Sequence, residues 1–230
     1  NASIGVVVFS MLASDGSTID NVTTQQYNSL LENGFVPKSL FTGDAADLAK
    51  LVICTGRNDG SGTRSSYLSE MGWGVANTVQ QYLVVGQSPT LDRFTAVQRV
   101  PAGGLNIPGG SALATFDVDP DLANTQAPSA LATSASTVWG QDVNGNGGAF
   151  SGSVLRGHMA RKGTGVRVFD VDGTDLLGEE VEADLITWLS LNDAVTARDG
   201  GAKICAFNGV KLNDIAGPDP DGAGPLKNDT

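Results

Sequence analysis

The feature that most constrains this chain is a short apolar run at residues 51–55 that leads into the sequence R-N-D-G-S-G-T at residues 57–63. The run has the length and composition of a buried strand. Residues 65–71 that follow have a helical pattern. Gly60 and Gly62 let the backbone turn tightly and leave no Cβ in the way of a ligand. The segment therefore predicts a strand, a glycine-rich turn and a helix in succession.

Further strand and helix signals precede this unit. Residues 4–12 are nearly all apolar, as in a buried central strand. Thr23 and Gln26 have capping-box spacing, and the helix that they begin is expected to end at Gly34. A further turn of helix is expected at residues 45–48. The order strand, helix, strand, helix predicts an α/β fold with a mainly parallel central sheet flanked by helices.

The middle of the chain has a different character. Residues 79–85 and 94–100 look like strands, whereas residues 101–137 are rich in Gly, Pro, Ser, Ala and Asn and show little periodicity. We expect a β- and loop-rich insertion at about 88–138. The α/β pattern then returns, with a glycine turn at 144–148, a helix around 154–159 and strands at 166–169, 185–189 and 204–207.

These patterns predict one α/β lobe over residues 1–216 and a Pro-, Gly- and Asp-rich linker or tail over 217–230. The chain starts at Asn1 without a methionine, which indicates an internal or processed start. With 230 residues, of which 40% are hydrophobic, it has enough apolar content for a core. No run approaches the roughly 18 consecutive apolar residues that a membrane span needs. The net charge of -11, without a basic patch, argues against nucleic-acid binding.

The residue types at 57–63 suit a tetrahedral oxyanion. Free N–H groups and the positive end of a helix dipole stabilise negative charge, and Arg57 can donate a fork of hydrogen bonds to two oxygens. Asp59 would orient Arg57, cap the helix or accept a proton from a hydrogen-bearing phosphate. The alternative is that Ser61 is only a helix cap after a glycine turn. The segment is not a Walker A loop, because G-x-x-x-x-G-K-[ST] is absent.

The turn resembles that of the phosphate-binding proteins of ABC phosphate importers, whose strand-to-helix turn reads R-x-D-G-S-G-T. The helix start V-T-T-Q-Q at 22–26 is similar to the family's L-T-x-x-Q, and G-N-G-G at 145–148 is similar to its G-N-x-G turn. Residues 186–190 and 206–210 look like the strands that close the second lobe. The resemblance implies a periplasmic-binding-protein-like lobe whose phosphate ligands are Arg57, Asp59, Gly60, Ser61, Gly62 and Thr63.

The resemblance also implies a function. It points to a periplasmic or extracellular solute-binding protein that captures phosphate or a similar oxyanion for ABC-type uptake or scavenging. Such a protein needs no catalysis, cofactor or metal, and its partner would be an ABC permease. Only the second lobe is matched, so a first lobe is expected outside this chain. The alternative is an extracellular structural or adhesive protein that reuses the lobe without a ligand and assembles with copies of itself.

Three further groups leave alternatives open. Cys54 and Cys205 either form a disulfide or fill two neighbouring core strands as small hydrophobes. The loop from Asp142 begins like a calcium loop but has Ser153 in place of the final glutamate. A second calcium candidate is the acidic turn that contains Asp170, Asp172 and Asp175. This pattern is more typical of a solvated surface turn. His158 is the only histidine, and we expect it on a solvated helix face without a catalytic role.

Overall fold

The structure is a computed structural model that describes residues 8–58, 60–88, 90, 92–100, 147–149, 151–171 and 173–211. Most of the predicted insertion, residues 142–146 and 150 of the calcium-like loop and the tail at 217–230 lie outside these described residues, as do Asp59 and Asp172.

The described residues form five α-helices, nine strands and one 3-10 turn. The helices are α1 Thr24–Asn33, α2 Ser39–Thr42, α3 Gly62–Glu70, α4 Gly152–Met159 and α5 Leu191–Asp199, and the 3-10 turn is Ala45–Asp47. The strands are β1 Phe9–Ala13, β2 Asn21–Val22, β3 Phe35–Pro37, β4 Leu51–Cys54, β5 Tyr82–Gln87, β6 Arg93–Arg99, β7 Lys162–Phe169, β8 Val181–Ser190 and β9 Lys203–Phe207.

The strands form one mixed sheet in the order β2-β9-β1-β8-β7-β6-β5, and β4 pairs with β3 and β8. Five of the eight strand pairs among the described residues are antiparallel, whereas β2–β9, β4–β8 and β6–β7 are parallel. The α/β class is confirmed, but the predicted mainly parallel sheet is wrong. The links between β5 and β6 and between β7 and β8 are too short for the crossover that a parallel neighbour requires.

Both faces of the central sheet are buried, which explains the continuous apolar runs. Along β4, Ile53 packs in one core cluster while Val52 and Cys54 pack in the other. Leu185 and Ile186 of β8 alternate in the same way, because successive side chains of a strand point to opposite faces. Residues of α4 and α5 pack in the first cluster, and residues of α1 and α3 pack in the second.

The local helix predictions agree with the structure. The predicted capping box of α1 is present, with Gln26 N donating to Thr23 Oγ1 and Thr23 N donating to Gln26 Oε1. Gly34 ends the helix with a φ of 82°, a conformation that favours glycine. The predicted helix around 154–159 is α4. The expected solvated position of His158 is wrong, since its side chain is 1% exposed on the face of α4 that also carries Leu155 and Met159.

The two cysteines do not pair. In the sheet, Cys54 of β4 lies opposite Ile186 of β8, and Ile186 lies opposite Ala13 of β1 on its other side. Cys205 of β9 lies opposite Met11 of β1. Three strand spacings of about 4.8 Å separate β4 from β9 by roughly 14 Å, and the two-residue offset of Cys205 from Lys203 adds to this distance. A disulfide needs Cα atoms within about 7 Å. Both thiols are therefore free and buried in the core.

We expect both thiols of the native protein to resist alkylation at mildly alkaline pH. Burial raises the pKa of Cys54 and of Cys205 to about 12, so almost none of either thiol is in the reactive thiolate form. Mass spectrometry after iodoacetamide treatment should find no label on the native chain and two labels on the chain unfolded without a reductant. An unlabelled unfolded chain would reveal a disulfide and contradict the strand order.

Candidate functional site

The predicted glycine-rich turn connects β4 to α3 and is held from the side by residues 147–149. Thr55 N extends the β4–β8 pairing by donating to Ile186 O at 3.1 Å. Arg57 then forms an isolated parallel bridge with Ala149. In this bridge Ala149 N donates to Gly56 O at 2.7 Å, and Asn58 N donates to Ala149 O at 3.0 Å. The turn is therefore tied to a segment about ninety residues away in the chain, the end of the predicted G-N-G-G turn.

A buried glutamine fixes the same junction. Gln81 Nε2 donates to Arg57 O at 3.2 Å and to Gly147 O at 2.9 Å, and its side chain is completely buried. Close packing here requires glycine at two positions. A Cβ on Gly56 would overlap the Gln81 amide oxygen, and a Cβ on Gly148 would lie 2.5 Å from Arg57 O. The backbone of residues 56–58 is therefore held in place before α3 begins.

The start of α3 leaves two backbone donors unpaired. Ser61 is the N-cap, and its Oγ accepts from Arg64 N at 3.4 Å. The N–H groups of Gly62 and Thr63 have no acceptor among the described residues. Gly62 is exposed, and a Cβ placed on it would meet no atom within 4 Å. Gly62 and Thr63 belong to the first turn of α3, whose N–H groups carry the positive end of the helix dipole. The Ser61 hydroxyl still keeps its own proton to donate.

Two arginines add positive charge to the turn. Arg57 is half-buried, and its Nε donates to Ala149 O at 3.3 Å. Arg64 is 2% exposed, and its guanidinium donates to Arg57 O at 3.4 Å. Burial lowers the pKa of Arg57, while Asp193 and Tyr67 act in the opposite direction. Arginine stays protonated at neutral pH even with such a shift, so the turn is cationic despite the net negative charge of the chain.

Asp193 is a neighbouring acid that the sequence reasoning missed. It lies in the first turn of α5, accepts from Ser190 Oγ at 3.0 Å and pairs with Arg156 at 3.4 Å. Its carboxylate also covers the start of α4, because a Cβ on Gly152 would overlap it. The S-x-x-D spacing of Ser190 and Asp193 is a helix-start signal, but it gives no hint of the distant Arg57.

The predicted site residues fall into two groups. Arg57, Gly60, Ser61, Gly62 and Thr63 lie together in one turn, because they are nearly consecutive in the chain. Asp59 lies outside the described residues, so its predicted supporting role has no structural account. The binding roles of all six residues remain predictions.

The acidic turn that is a calcium candidate has two carboxylates among the described residues, Asp170 and Asp175. Asp175 pairs with Arg167 and accepts from Leu177 N and Gly178 N, and Asp170 pairs with Arg99. These contacts occupy both carboxylates of the acidic turn that the structure describes. Elsewhere in the described ranges no group of three or more His, Cys, Asp or Glu side chains is placed to hold a metal ion.

No family model, curated protein or solved structure matches this chain. Among the residues that the structure describes, no helix is both long enough and apolar enough to cross a membrane. The case for a function therefore depends on the geometry of the β4–α3 turn and on the sequence motif.

We expect Gly148→Ala to destabilise the protein by about 1–3 kcal/mol, because the added methyl group would press on Arg57 O and overpack the junction. Gly60→Ala is the matched control in the same turn, since a Cβ there meets nothing within 4 Å. The free energy of unfolding from urea titrations measures both. Equal stabilities of the two variants would contradict the tight packing of residues 147–149 on the turn.

Proposed function

We propose that this chain is a lobe of an extracytoplasmic solute-binding protein that captures phosphate or a similar tetrahedral oxyanion at the start of α3. The observation that carries the proposal is the pair of N–H groups of Gly62 and Thr63 that have no acceptor among the described residues, at a helix N-terminus five residues after Arg57. The sequence R-N-D-G-S-G-T over these residues supports it independently.

The donors at the turn fit the needs of such an anion. The N–H groups of Gly62 and Thr63, the hydroxyls of Ser61 and Thr63 and the guanidinium of Arg57 offer hydrogen bonds from within seven consecutive residues of the chain. Hydrogen bonds to a charged group contribute about 1.5–3 kcal/mol each. The exposed Gly62 lets an oxygen approach the backbone closely. These donors form no nucleophile and no general base, so we propose capture and release without chemistry.

The proposed role assigns a place and a partner to the protein. The α3 turn follows the carboxyl end of β4, which is where open α/β sheets bind ligands. A binding-protein lobe would close over the anion with a second lobe and deliver it to an ABC permease. The protein would then work in the periplasm or at the cell surface, and it would require no cofactor. The mainly parallel sheet of the original expectation is not part of this proposal.

The direct test is isothermal titration of inorganic phosphate into the full natural protein, with sulfate as the comparison anion. We expect phosphate to bind, and we expect Arg57→Ala to lower its affinity by about 30-fold, which corresponds to about 2 kcal/mol, because a charged donor is lost. Arg198→Ala removes a comparable charge from the surface pair of Arg198 and Asp199 on α5 and is the matched control. Urea titrations establish that both variants remain folded.

Several outcomes would contradict the proposal. One is the absence of both binding heat and thermal stabilisation with either anion, which would favour the structural or adhesive role. Sedimentation equilibrium would then test self-assembly. Phosphate affinity that is unchanged in Arg57→Ala, or lowered equally in Arg198→Ala, would remove the turn from the binding site.

A further inference from the structure

A second polar cleft lies at the opposite end of β4 from the α3 turn. It consists of two adjoining cavities of about 530 Å³ and about 210 Å³, and Thr18, Lys38 and Lys50 line both of them. Lys50 directly precedes β4, whereas the α3 turn follows its last residue, Cys54. Four strand residues separate the two ends by roughly 13 Å. The proposed function makes no use of this cleft.

A buried ion pair forms the floor of the cleft. Lys38 Nζ lies 2.8 Å from Asp184 Oδ2, and each residue is 7% exposed. Ser17 Oγ donates to the same oxygen at 2.7 Å. The other oxygen, Asp184 Oδ1, accepts no hydrogen bond from the described residues, and the Lys38 ammonium donates to a single partner among them. Two donor positions and one acceptor position are therefore unused in a pair that is almost wholly buried.

The buried ion pair contributes little net free energy to folding, because both ions lose their hydration. Removing each ion from water costs several kcal/mol, and well-packed apolar residues often replace such pairs with no loss of stability. A buried pair with unused hydrogen-bonding capacity at the floor of a cleft is better explained by a ligand that completes it.

The charges around the cleft limit the chemistry of that ligand. The smaller cavity is lined by three lysines and three acids: Lys38, Lys50, Lys162, Asp15, Glu182 and Asp184. Lys50 itself lies 3.1 Å from Asp47 Oδ1 and 3.4 Å from Glu182 Oε2. The larger cavity adds three acids, Asp20, Asp44 and Asp47. This excess of acids would repel a free anion, since like charges at close range destabilise each other. Asp20 already pairs with Lys203 and Asp47 with Lys50, so the acids attract a free cation less than their number implies. These pairings favour a ligand without net charge.

A hydroxyl group has the required hydrogen-bonding capacity, because it accepts from an ammonium and donates to a carboxylate. We propose that this cleft is a second binding site that takes a neutral polyhydroxylated ligand, a sugar, with adjacent hydroxyls on Lys38 Nζ and Asp184 Oδ1. The larger cavity has the volume of a small-molecule site. It also has the half-buried ring of Phe41, an apolar surface for the C–H face of a sugar ring, beside the polar groups of Thr18 and Asn21.

The test titrates the full-length natural protein with D-glucose, D-galactose, D-mannose, N-acetylglucosamine and myo-inositol, and with glycine and phosphate as charged comparison ligands. Two-dimensional amide NMR follows Lys38, Ala183, Asp184 and Leu185 during each titration. We expect at least one sugar to shift these signals in a saturable way. Asp184→Asn should weaken that binding by about tenfold, because a charged acceptor is lost. Asp175→Asn, a paired carboxylate that does not line the cleft, is the matched control and should bind normally.

Asp184→Asn leaves Lys38 buried without its partner and is at risk of unfolding. The double variant Lys38→Met with Asp184→Leu removes both charges, and we expect it to stay folded, to bind phosphate normally and to lose sugar binding. No response to any sugar in the panel, a response to glycine or phosphate in place of the sugars, or normal sugar binding by the folded double variant would each overturn the proposal. Phosphate binding at the α3 turn is measured separately, so the two proposals fail independently.

Discussion

The parallel pairing of β4 with β8 is the interaction on which the rest of this structure depends. The register sets Val52 opposite Asp184 and Cys54 opposite Ile186. Ile186 also pairs with Ala13 across its other edge, so β8 joins β4 to β1 in the middle of the sheet. The direction of β4 determines which of the two proposed sites lies at each of its ends. Its carboxyl end carries the α3 turn with its unpaired N–H groups, and its amino end carries the cleft with the buried ion pair of Lys38 and Asp184.

Sequence reasoning predicted the features whose causes lie within a few residues. The capping box of α1 is a three-residue spacing, and the glycine-rich turn before α3 follows from seven consecutive residues. The buried strands are recognisable because both faces of the sheet are covered, which makes them continuously apolar. The periodicity of apolar residues does not indicate whether a strand runs parallel or antiparallel to its neighbour. The predicted mainly parallel sheet extrapolated from the alternation of strands and helices, whereas the short links after β5 and β7 allow only antiparallel neighbours.

The supporting parts of both sites were beyond prediction because they are non-local. Gln81, Ala149 and Asp193 reach the α3 turn from three distant segments, and none has a spacing relation to Arg57. Lys38 and Asp184 are further apart still in the chain, and each looks like an ordinary surface residue in its local sequence. The donors of a site that is built on one turn are visible in the sequence, whereas the residues that hold the turn become visible only in the fold.

The net negative charge of the chain opposes the long-range attraction of an anion. With a net charge of -11, the long-range field of the protein repels phosphate. Salt at physiological strength screens exposed charges beyond about 8 Å, so the repulsion weakens at a distance, while groups in contact are screened much less. Asp193, an acid electrostatically coupled to Arg57, is engaged by Arg156 and Ser190, which offsets part of its charge. The proposed capture at α3 would therefore depend on short-range hydrogen bonds to Gly62, Thr63 and Arg57 and on the helix dipole, because electrostatic steering by the whole molecule works against it.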